Sequence, residues 1–165
     1  MSVENPISLC MIVKNEEGQI ENCLSSIRPY VDEIVIVDTG STDRTPDIAR
    51  KFCDKFEVYL ECNDLNGSML DFSAARNRSF SLASHDWVMW IDGDDIVRNA
   101  NFIPQLLSKY SSSPKPCLIM LPYEYNHDKH GNVTCLHYRE RILYPRSEFT
   151  WKNPVHEIYF PKNPS

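Results

Sequence analysis

The sequence contains no apolar run long enough to cross a membrane, which takes roughly 18 or more consecutive apolar residues. Its first residues, Met1 to Pro6, also lack the basic start and the apolar stretch of a signal peptide. We therefore expect a chain without a transmembrane segment that resides in the cytoplasm.

The chain has little positive charge, with 17 Lys and Arg residues against 23 Asp and Glu, and a net charge of −6. This balance argues against a nucleic-acid partner, because a nucleic-acid-binding surface needs clustered cations. Hydrophobic residues make up 42% and charged residues 24% of the chain, as in ordinary globular proteins. We find no repeat or linker, and we expect one domain over residues 1–165.

Cysteine occurs six times but never in a Cys-x-x-Cys pair, which disfavours a dithiol redox centre or a cysteine zinc site. Several of these cysteines lie in apolar strand-like or helix-like segments, where a free cysteine acts as a small hydrophobe. Without a secretion signal, reduced thiols are expected rather than disulfides.

Strand-like and helix-like segments alternate through the first half of the chain. Apolar, often β-branched runs begin near residues 7, 33, 56 and 87, and each gap contains a helical pattern. Helices are predicted over 20–27, 45–52 and 72–82, and an irregular, mobile loop over 61–70. Such alternation is typical of right-handed crossovers between mainly parallel strands covered by helices.

The pattern changes in the second half. A short helix is predicted over 101–109, followed by strands over 117–125 and 133–144. The Gly131-Asn132 pair between these strands is typical of a hairpin turn. The fold class is therefore α/β, a mostly parallel central sheet with flanking helices and antiparallel additions in the second half.

The most informative stretch is the apolar run Trp87 to Ile91, which ends abruptly in Asp92-Gly93-Asp94-Asp95. Carboxylates this close together require a cation or hydrogen-bond donors to compensate them. Open α/β sheets bind ligands beyond the carboxyl ends of their strands. The cluster therefore indicates a site for a hard metal ion, and a solvated acidic turn is the alternative.

Polar side chains also follow the other predicted strands. Asn15 and Glu16 come after the first strand, and Asp38 ends the second. Because adjacent parallel strands present their carboxyl ends at one edge of the sheet, we expect these side chains to approach the acidic cluster.

Four segments together resemble the successive signatures of family 2 glycosyltransferases, which have the GT-A fold. They are Val13-Lys14-Asn15-Glu16, Val37-Asp38-Thr39-Gly40-Ser41-Thr42-Asp43, Ala75-Arg76-Asn77 and Trp90-Ile91-Asp92-Gly93-Asp94-Asp95. The similarity is strong from about Ile7 to Arg98 and weaker to about Phe160. It leaves open whether the domain continues beyond Ser165.

The resemblance implies a nucleotide-sugar donor, with UDP the favoured carrier. By position in the motifs, Asn15 and Glu16 would border the nucleoside and Asp38 would hydrogen-bond the base. Arg76 would lie beside the nucleotide, with an exposed helical arginine as the alternative. Asp92 would face the ribose or a metal-bound water.

The resemblance also implies a divalent metal ion, Mn²⁺ or Mg²⁺, bound with the diphosphate. Asp94, the last aspartate of the family's DXD motif, would ligate this metal. The chemistry agrees, because a metal held by one or two carboxylates stabilises the charge on a departing nucleoside diphosphate.

The late segment Trp151 to Glu157 is the expected location of the catalytic base. Family members usually carry an Glu-Asp pair there, whereas this chain has His156-Glu157. If the match holds, Glu157 would deprotonate an acceptor hydroxyl. His156 would ligate metal or phosphate, or orient Glu157. The alternative is a short strand with a structural His and an exposed Glu.

Other residue groups are left open. His127, His130 and His137 with Asp128 could bind a metal, although a hairpin tip is the simpler interpretation. Trp151 and Tyr144 could stack on a sugar ring or belong to the core.

We therefore expect an inverting, metal-dependent glycosyltransferase that transfers a sugar to the hydroxyl of an unidentified sugar, lipid or protein acceptor. A module that binds a nucleotide sugar without transferring it is the alternative. A nucleotidyltransferase is disfavoured, because Lys14 to Gly18 holds one glycine instead of a glycine-rich phosphate loop.

Overall fold

The structure, a computed structural model, describes residues 5–155 and 157–161. A six-stranded sheet has the order β3-β2-β1-β4-β6-β5, and β7 and β8 form a separate two-stranded sheet. The strands are β1 Ile7–Val13, β2 Glu33–Asp38, β3 Lys55–Val58, β4 Trp87–Trp90, β5 Cys117–His127, β6 Val133–Tyr144, β7 Phe149–Lys152 and β8 Ile158–Pro161. The helices are α1 Ile20–Ile27, α2 Thr45–Ala49, α3 Phe72–Leu82 and α4 Ile103–Tyr110, with short 3₁₀ turns at Arg28–Tyr30, Ala100–Phe102 and Arg146–Glu148.

The first four strands are parallel, as the alternation predicts. β1 is central, with Val13 paired to Asp38 of β2 and Cys10 paired to Trp90 of β4. All residues of β2 and β4 are buried, which explains why the interior of β2, Ile34 to Val37, and the whole of β4 are continuous apolar runs rather than alternating ones. The mostly parallel α/β fold is confirmed.

The antiparallel additions are also confirmed. β6 runs antiparallel to β4, and the long β5–β6 hairpin adds β5 at the edge of the sheet. Register shifts between Ile119 and Met120, and again near Asn126, interrupt the ladder of this hairpin. Such bulges increase the local twist of the strands and redirect side chains.

The core has one layer on each face of the sheet. On one face, α1 and α4 cover β1 and β4 with residues such as Leu24 and Leu107. On the other face, α3 and β7 pack Phe80 and Trp151 against Trp90. The two layers leave the carboxyl-terminal edge of the parallel strands to loops.

Most differences from the sequence-based bounds are at element ends. α2 ends at Ala49 rather than Phe52, and β4 ends at Trp90, one residue before the end of the apolar run. In the segment over 61–70, an isolated bridge joins Asn63 to Met69. All six cysteines are free thiols. Within the described residues, no helix is long and apolar enough to cross a membrane.

A buried carboxylate, Glu33, ties three elements together at the opposite end of the strands. It accepts hydrogen bonds from Ser8 of β1 at 2.5 Å and from the Ser84 amide at 2.7 Å, and it pairs with Lys55 at 2.9 Å. Burial alone would raise its pKa, but these contacts lower the pKa from 4.5 to about 2. Glu33 therefore stabilises the fold when it is ionised.

We expect Glu33→Gln to lower the free energy of unfolding at pH 7 by about 2–3 kcal/mol. This is less than the roughly 3.4 kcal/mol that the full pKa difference represents, because the partner Lys55 is 40% exposed and solvent screens the pair. Because the folded-state pKa of Glu33 lies below its ordinary value, its contribution is complete above pH 4.5 and declines as the pH falls toward 2. Urea titrations across this range measure the effect. Glu21→Gln, a change on the exposed side of α1, is the control. If the difference in free energy of unfolding between the wild type and Glu33→Gln did not become smaller at low pH, the stabilising role of ionised Glu33 would be contradicted.

Candidate functional site

The predicted polar residues meet at one edge of the sheet. The loops after β1, β2 and β4 all emerge at the carboxyl ends of neighbouring strands. A Cβ atom placed on Gly93 would lie 2.9 Å from Cγ of Glu16, so the acidic loop touches the loop after β1. The absence of a side chain at Gly93 permits this approach.

The loops after β1 and β2 are joined by hydrogen bonds centred on Asn15. Its Oδ1 accepts from the Thr42 amide at 2.8 Å, and its own amide donates to Ser41 Oγ at 3.0 Å. Asn15 has a left-handed backbone conformation with φ of 56°, which asparagine tolerates better than most residues. The amide of Glu16 donates to Thr45 Oγ1 at 2.7 Å. Asn15 thus holds together the loops after β1 and β2, which form one wall of the site.

Asp38 lies beneath this wall and is only 2% exposed. Its Oδ1 accepts from the amides of Gly40 at 2.9 Å and Ser41 at 2.8 Å. Among the described residues, its buried Oδ2 has no hydrogen-bond partner. Buried acceptors are normally satisfied, so Oδ2 is available to a donor group supplied by a ligand.

The acidic loop after β4 folds into a tight turn. The Asp92 amide donates to Asp95 Oδ2 at 2.9 Å, and the Asp95 amide donates to the Asp92 carbonyl at 3.1 Å. This turn leaves Asp94 exposed to solvent while Asp95 is largely buried. Of the three aspartates, Asp94 is therefore the one free to ligate a metal ion.

Arg76 is buried, and the alternative of an exposed helical arginine is wrong. It lies on α3, whose N-terminus is capped by Asp71 through a 2.9 Å bond to the Ala74 amide. Its side chain is 7% exposed and contacts Asp92 Oδ1 at 2.9 Å and Glu157 Oε1 at 2.8 Å. Arg76 thus connects the acidic loop to the segment after β7.

A second arginine, Arg141 of β6, completes this arrangement. It lies 3.7 Å from Asp92 Oδ2 and 3.0 Å from Asp95 Oδ2. The guanidinium carbons of Arg76 and Arg141 lie 4.4 Å and 4.1 Å from the centre of the Trp90 ring. We name Arg76, Trp90 and Arg141 the arginine clamp. Both oxygens of Asp92 face a cation of this clamp.

Sequence reasoning missed Arg141, although β6 was predicted. Arg141 is 51 residues from Trp90 and belongs to no recognisable motif. Its position follows from the pairing of Ile142 with Met89, which aligns the preceding residue with the end of β4. The available signal was an arginine directly before the apolar pair Ile142-Leu143, at a position expected to be buried.

The acidic residues influence each other electrostatically. The pKa of Glu16 is raised, chiefly by burial and then by repulsion from Asp94, Asp43 and Asp92. Burial also raises the pKa of Asp95, against the attraction of Arg141. A cation beside Glu16 and Asp94 would relieve this repulsion.

The late segment reaches the site through Glu157, whose side chain contacts Arg76 and is 16% exposed. His156, predicted as a metal or phosphate ligand, lies outside the described residues. Trp151 belongs to the core, packing edge-on against Trp90 with ring centres 5.2 Å apart. Tyr144 stacks on Trp87 at 4.4 Å.

The histidines of the hairpin do not form a metal site. His127 contacts Glu124 at 3.1 Å, whereas His137 lies 3.3 Å from the Cys135 sulfur. Within residues 5–155 and 157–161, no group of three or more His, Cys, Asp or Glu side chains is arranged to hold a metal ion.

Comparison with known proteins decides the family. The family model of Glycosyl transferase family 2 matches residues 8–163. The chain belongs to this family. The expected family is thereby confirmed.

Curated relatives of the family include a TPR repeat-containing protein of Synechococcus elongatus, 42% identical over 89 residues, which cover 54% of this chain and 20% of that protein. Glycosyltransferase SunS of Bacillus phage SPbeta is 34% identical over 99 residues, covering 59% of this chain and 22% of SunS. The chain thus spans about a fifth of the length of these relatives.

Among solved structures, the family fold is shared with glucosyl-3-phosphoglycerate synthase from Mycobacterium tuberculosis in complex with Mn²⁺, UDP and glucosyl-3-phosphoglycerate. The TM-score is 0.54 at 29% identity, over 69% of this chain and 42% of the synthase chain. The same synthase is known with Mg²⁺ and UDP, and with Mn²⁺, UDP and phosphoglyceric acid. This similarity supports a GT-A fold for the chain.

Proposed function

We propose that this chain is the nucleotide-sugar-binding part of a metal-dependent, inverting glycosyltransferase with UDP as the carrier, and that residues 1–165 form one domain. The observation that carries the proposal is that the aspartates of the acidic loop differ in their surroundings. The arginine clamp neutralises Asp92, whereas Asp94 remains exposed beside Glu16. The UDP complexes of the mycobacterial synthase support the choice of carrier.

The wall formed by the loops after β1 and β2 would hold the nucleoside. The free Oδ2 of Asp38 is an acceptor for an N–H group, such as the one on the Watson–Crick edge of uracil. Asn15 and Glu16 would border the nucleoside, with Asn15 acting through its hydrogen bonds to the second loop. Asp92, oriented by the arginine clamp, would face the ribose or a metal-bound water.

Hard oxygen ligands fit Mn²⁺ or Mg²⁺, and Asp94 is placed to supply one of them. When bound, such an ion would act as a Lewis acid that stabilises the charge developing on the diphosphate. His156 is the second proposed ligand from the chain. Arg76, paired with Asp92 and Glu157, would act beside the nucleotide by positioning these carboxylates rather than by binding phosphate.

Glu157 is the proposed general base. Its carboxylate would accept the proton of the acceptor hydroxyl as the acceptor oxygen forms its bond to the anomeric carbon. The bond between that carbon and the phosphate oxygen breaks in the same displacement, which inverts the anomeric configuration. Arg76 fixes Glu157 from the side of α3.

Thermal unfolding with UDP, with and without Mn²⁺, tests the donor site. UDP at about 100 times its dissociation constant should stabilise the wild type by about 2.7 kcal/mol, which is a rise of roughly 5–10 °C for a domain of this size. We expect this shift to require Mn²⁺ and to vanish in Asp94→Ala. Asp86→Ala, an exposed change at the opposite end of β4, should keep the shift. A metal-dependent shift of wild-type size in Asp94→Ala would remove Asp94 from the metal site.

A further inference from the structure

A cleft of about 470 Å³ lies beside the acidic loop, on the opposite face of β4 from Glu157. Its floor is Met89 and Ile91, and its walls come from the residues following the acidic loop, from α4 with the preceding turn, and from the middle of the β5–β6 hairpin. We name it the α4 cleft. Its volume is within the range of roughly 300–1,000 Å³ that is typical of small-molecule sites.

We infer that the α4 cleft binds the acceptor, and that this acceptor is an uncharged, hydroxyl-bearing molecule with an apolar body, of which an alkyl glycoside is the simplest example. The inference rests on the proposed function, since it assigns the second substrate of the same reaction. The α4 cleft is continuous with the acidic loop, because Asp94 and Asp95 line one end of the cleft. A molecule in the cleft therefore reaches the carboxylate that we assign to the metal and the sugar donor. Its hydroxyl would extend past the acidic loop, around the carboxyl end of β4, to meet Glu157 on the other face. Arg141, which lines the cleft, contacts one oxygen of Asp92, and Arg76 joins the other oxygen to Glu157.

The apolar side chains in the walls of the cleft favour a ligand whose body is apolar. Ile96 and Phe102 line the cleft and remain 55% and 53% exposed, and Leu121 and Pro122 face it from the hairpin. Burying such side chains against an apolar group is favourable by about 25 cal/mol per Å². An acceptor that is polar over its whole surface would not gain this free energy from the apolar side chains of the cleft.

The charged side chains of the cleft disfavour a ligand that carries a negative charge. Arg98 pairs with Glu124 at 3.0 Å, and His127 pairs with the same carboxylate at 3.1 Å. Arg141 is paired with Asp95 at 3.0 Å. Both arginines that line the cleft thus already face a carboxylate, as does His127, and Asp94 adds a negative charge at one end of the cleft.

A phosphorylated or carboxylated acceptor would meet net negative charge here and no unpaired cation among the lining residues. The complex of the mycobacterial synthase, by contrast, contains phosphoglyceric acid, an anionic molecule. The two proteins share a fold, and under this proposal they differ in the charge of the second ligand.

Titration with hexyl β-glucoside in the presence of UDP and Mn²⁺, followed by NMR, tests this inference. Phe102→Glu and Ile96→Glu place a carboxylate among the apolar walls at positions exposed enough to tolerate it. Each should weaken binding of the glucoside at least tenfold. Leu136→Glu is the matched control, since Leu136 is 47% exposed on the same hairpin but does not line the cleft.

The UDP–Mn²⁺ thermal shift, measured in parallel, separates the two proposals. A wild type that shows this shift but binds no hexyl β-glucoside would overturn the acceptor assignment alone. So would equal weakening by Leu136→Glu, or tighter binding of phosphoglyceric acid than of the glucoside. A wild type without the UDP–Mn²⁺ shift would overturn the proposed function itself.

Discussion

Replacing Arg76 by methionine should lower the free energy of unfolding by about 3 kcal/mol, near the lower end of the range for breaking a buried ion pair. Arg76 is 7% exposed and is the cation shared by Asp92 and Glu157. Methionine retains much of the volume but leaves these two carboxylates close together without their common partner. Arg141 still faces Asp92, and Asp92 is 40% exposed, which limits the loss.

Thermal and urea unfolding measure this loss, which corresponds to a lower melting temperature by roughly 6–12 °C for a domain of this size. Arg78→Met is the matched control. Arg78 lies two residues further along α3 and pairs with Glu57 at 2.6 Å and 2.8 Å, but this pair is exposed to solvent. Exposed ion pairs contribute little to stability, so the control should lose far less than Arg76→Met.

Equal losses in the two variants would contradict the role of the arginine clamp. A loss confined to Arg76→Met would support the role of this guanidinium in holding the acidic loop and the segment after β7 together. The UDP–Mn²⁺ shift of Arg76→Met should also decrease, because Asp92 loses the contact that orients it.

The edge of the sheet where the site lies was predictable because it depends on local patterns. Asp38 and Asp92 each follow an uninterrupted apolar run, and parallel strands covered by helices bring such ends together. The register of β1 with β2 and β4 then places them at one edge. No knowledge of distant contacts is needed for this inference.

The arginine clamp depends on contacts that no local pattern specifies. Arg141 reaches Asp92 only because β6 pairs antiparallel with β4 in one particular register, close to a bulge in the hairpin. A shift of one residue would turn Arg141 to the other face of the sheet. The periodicity of β6 predicts a strand but does not determine that register.

The role of Trp151 was undecidable for a different reason. An aromatic residue near a carboxylate is compatible both with sugar stacking and with the core, and residue type alone does not separate these possibilities. The structure places Trp151 against Phe80 and Trp90, in the layer between α3 and the sheet. It therefore supports the arginine clamp from beneath, with its ring centre 5.1 Å from the guanidinium carbon of Arg76.

Replacing Glu157 by glutamine should lower the rate of sugar transfer by roughly 10²–10⁴-fold while leaving the affinity for UDP and Mn²⁺ unchanged. The amide oxygen of glutamine can still accept the hydrogen bond from Arg76 Nε, which spans 2.8 Å in the wild type. The geometry of the segment after β7 is thereby retained. What is lost is the ability to take a proton from the acceptor hydroxyl.

Single-turnover release of UDP from UDP-glucose, with hexyl β-glucoside as acceptor, measures the step directly. Glu148→Gln, a change in the turn before β7, should transfer sugar at the wild-type rate. Unchanged melting temperature and UDP affinity in Glu157→Gln would distinguish loss of the base from loss of structure. Near-normal transfer by Glu157→Gln would instead mean that another group accepts the proton, and that Glu157 serves only to hold Arg76 in the arginine clamp.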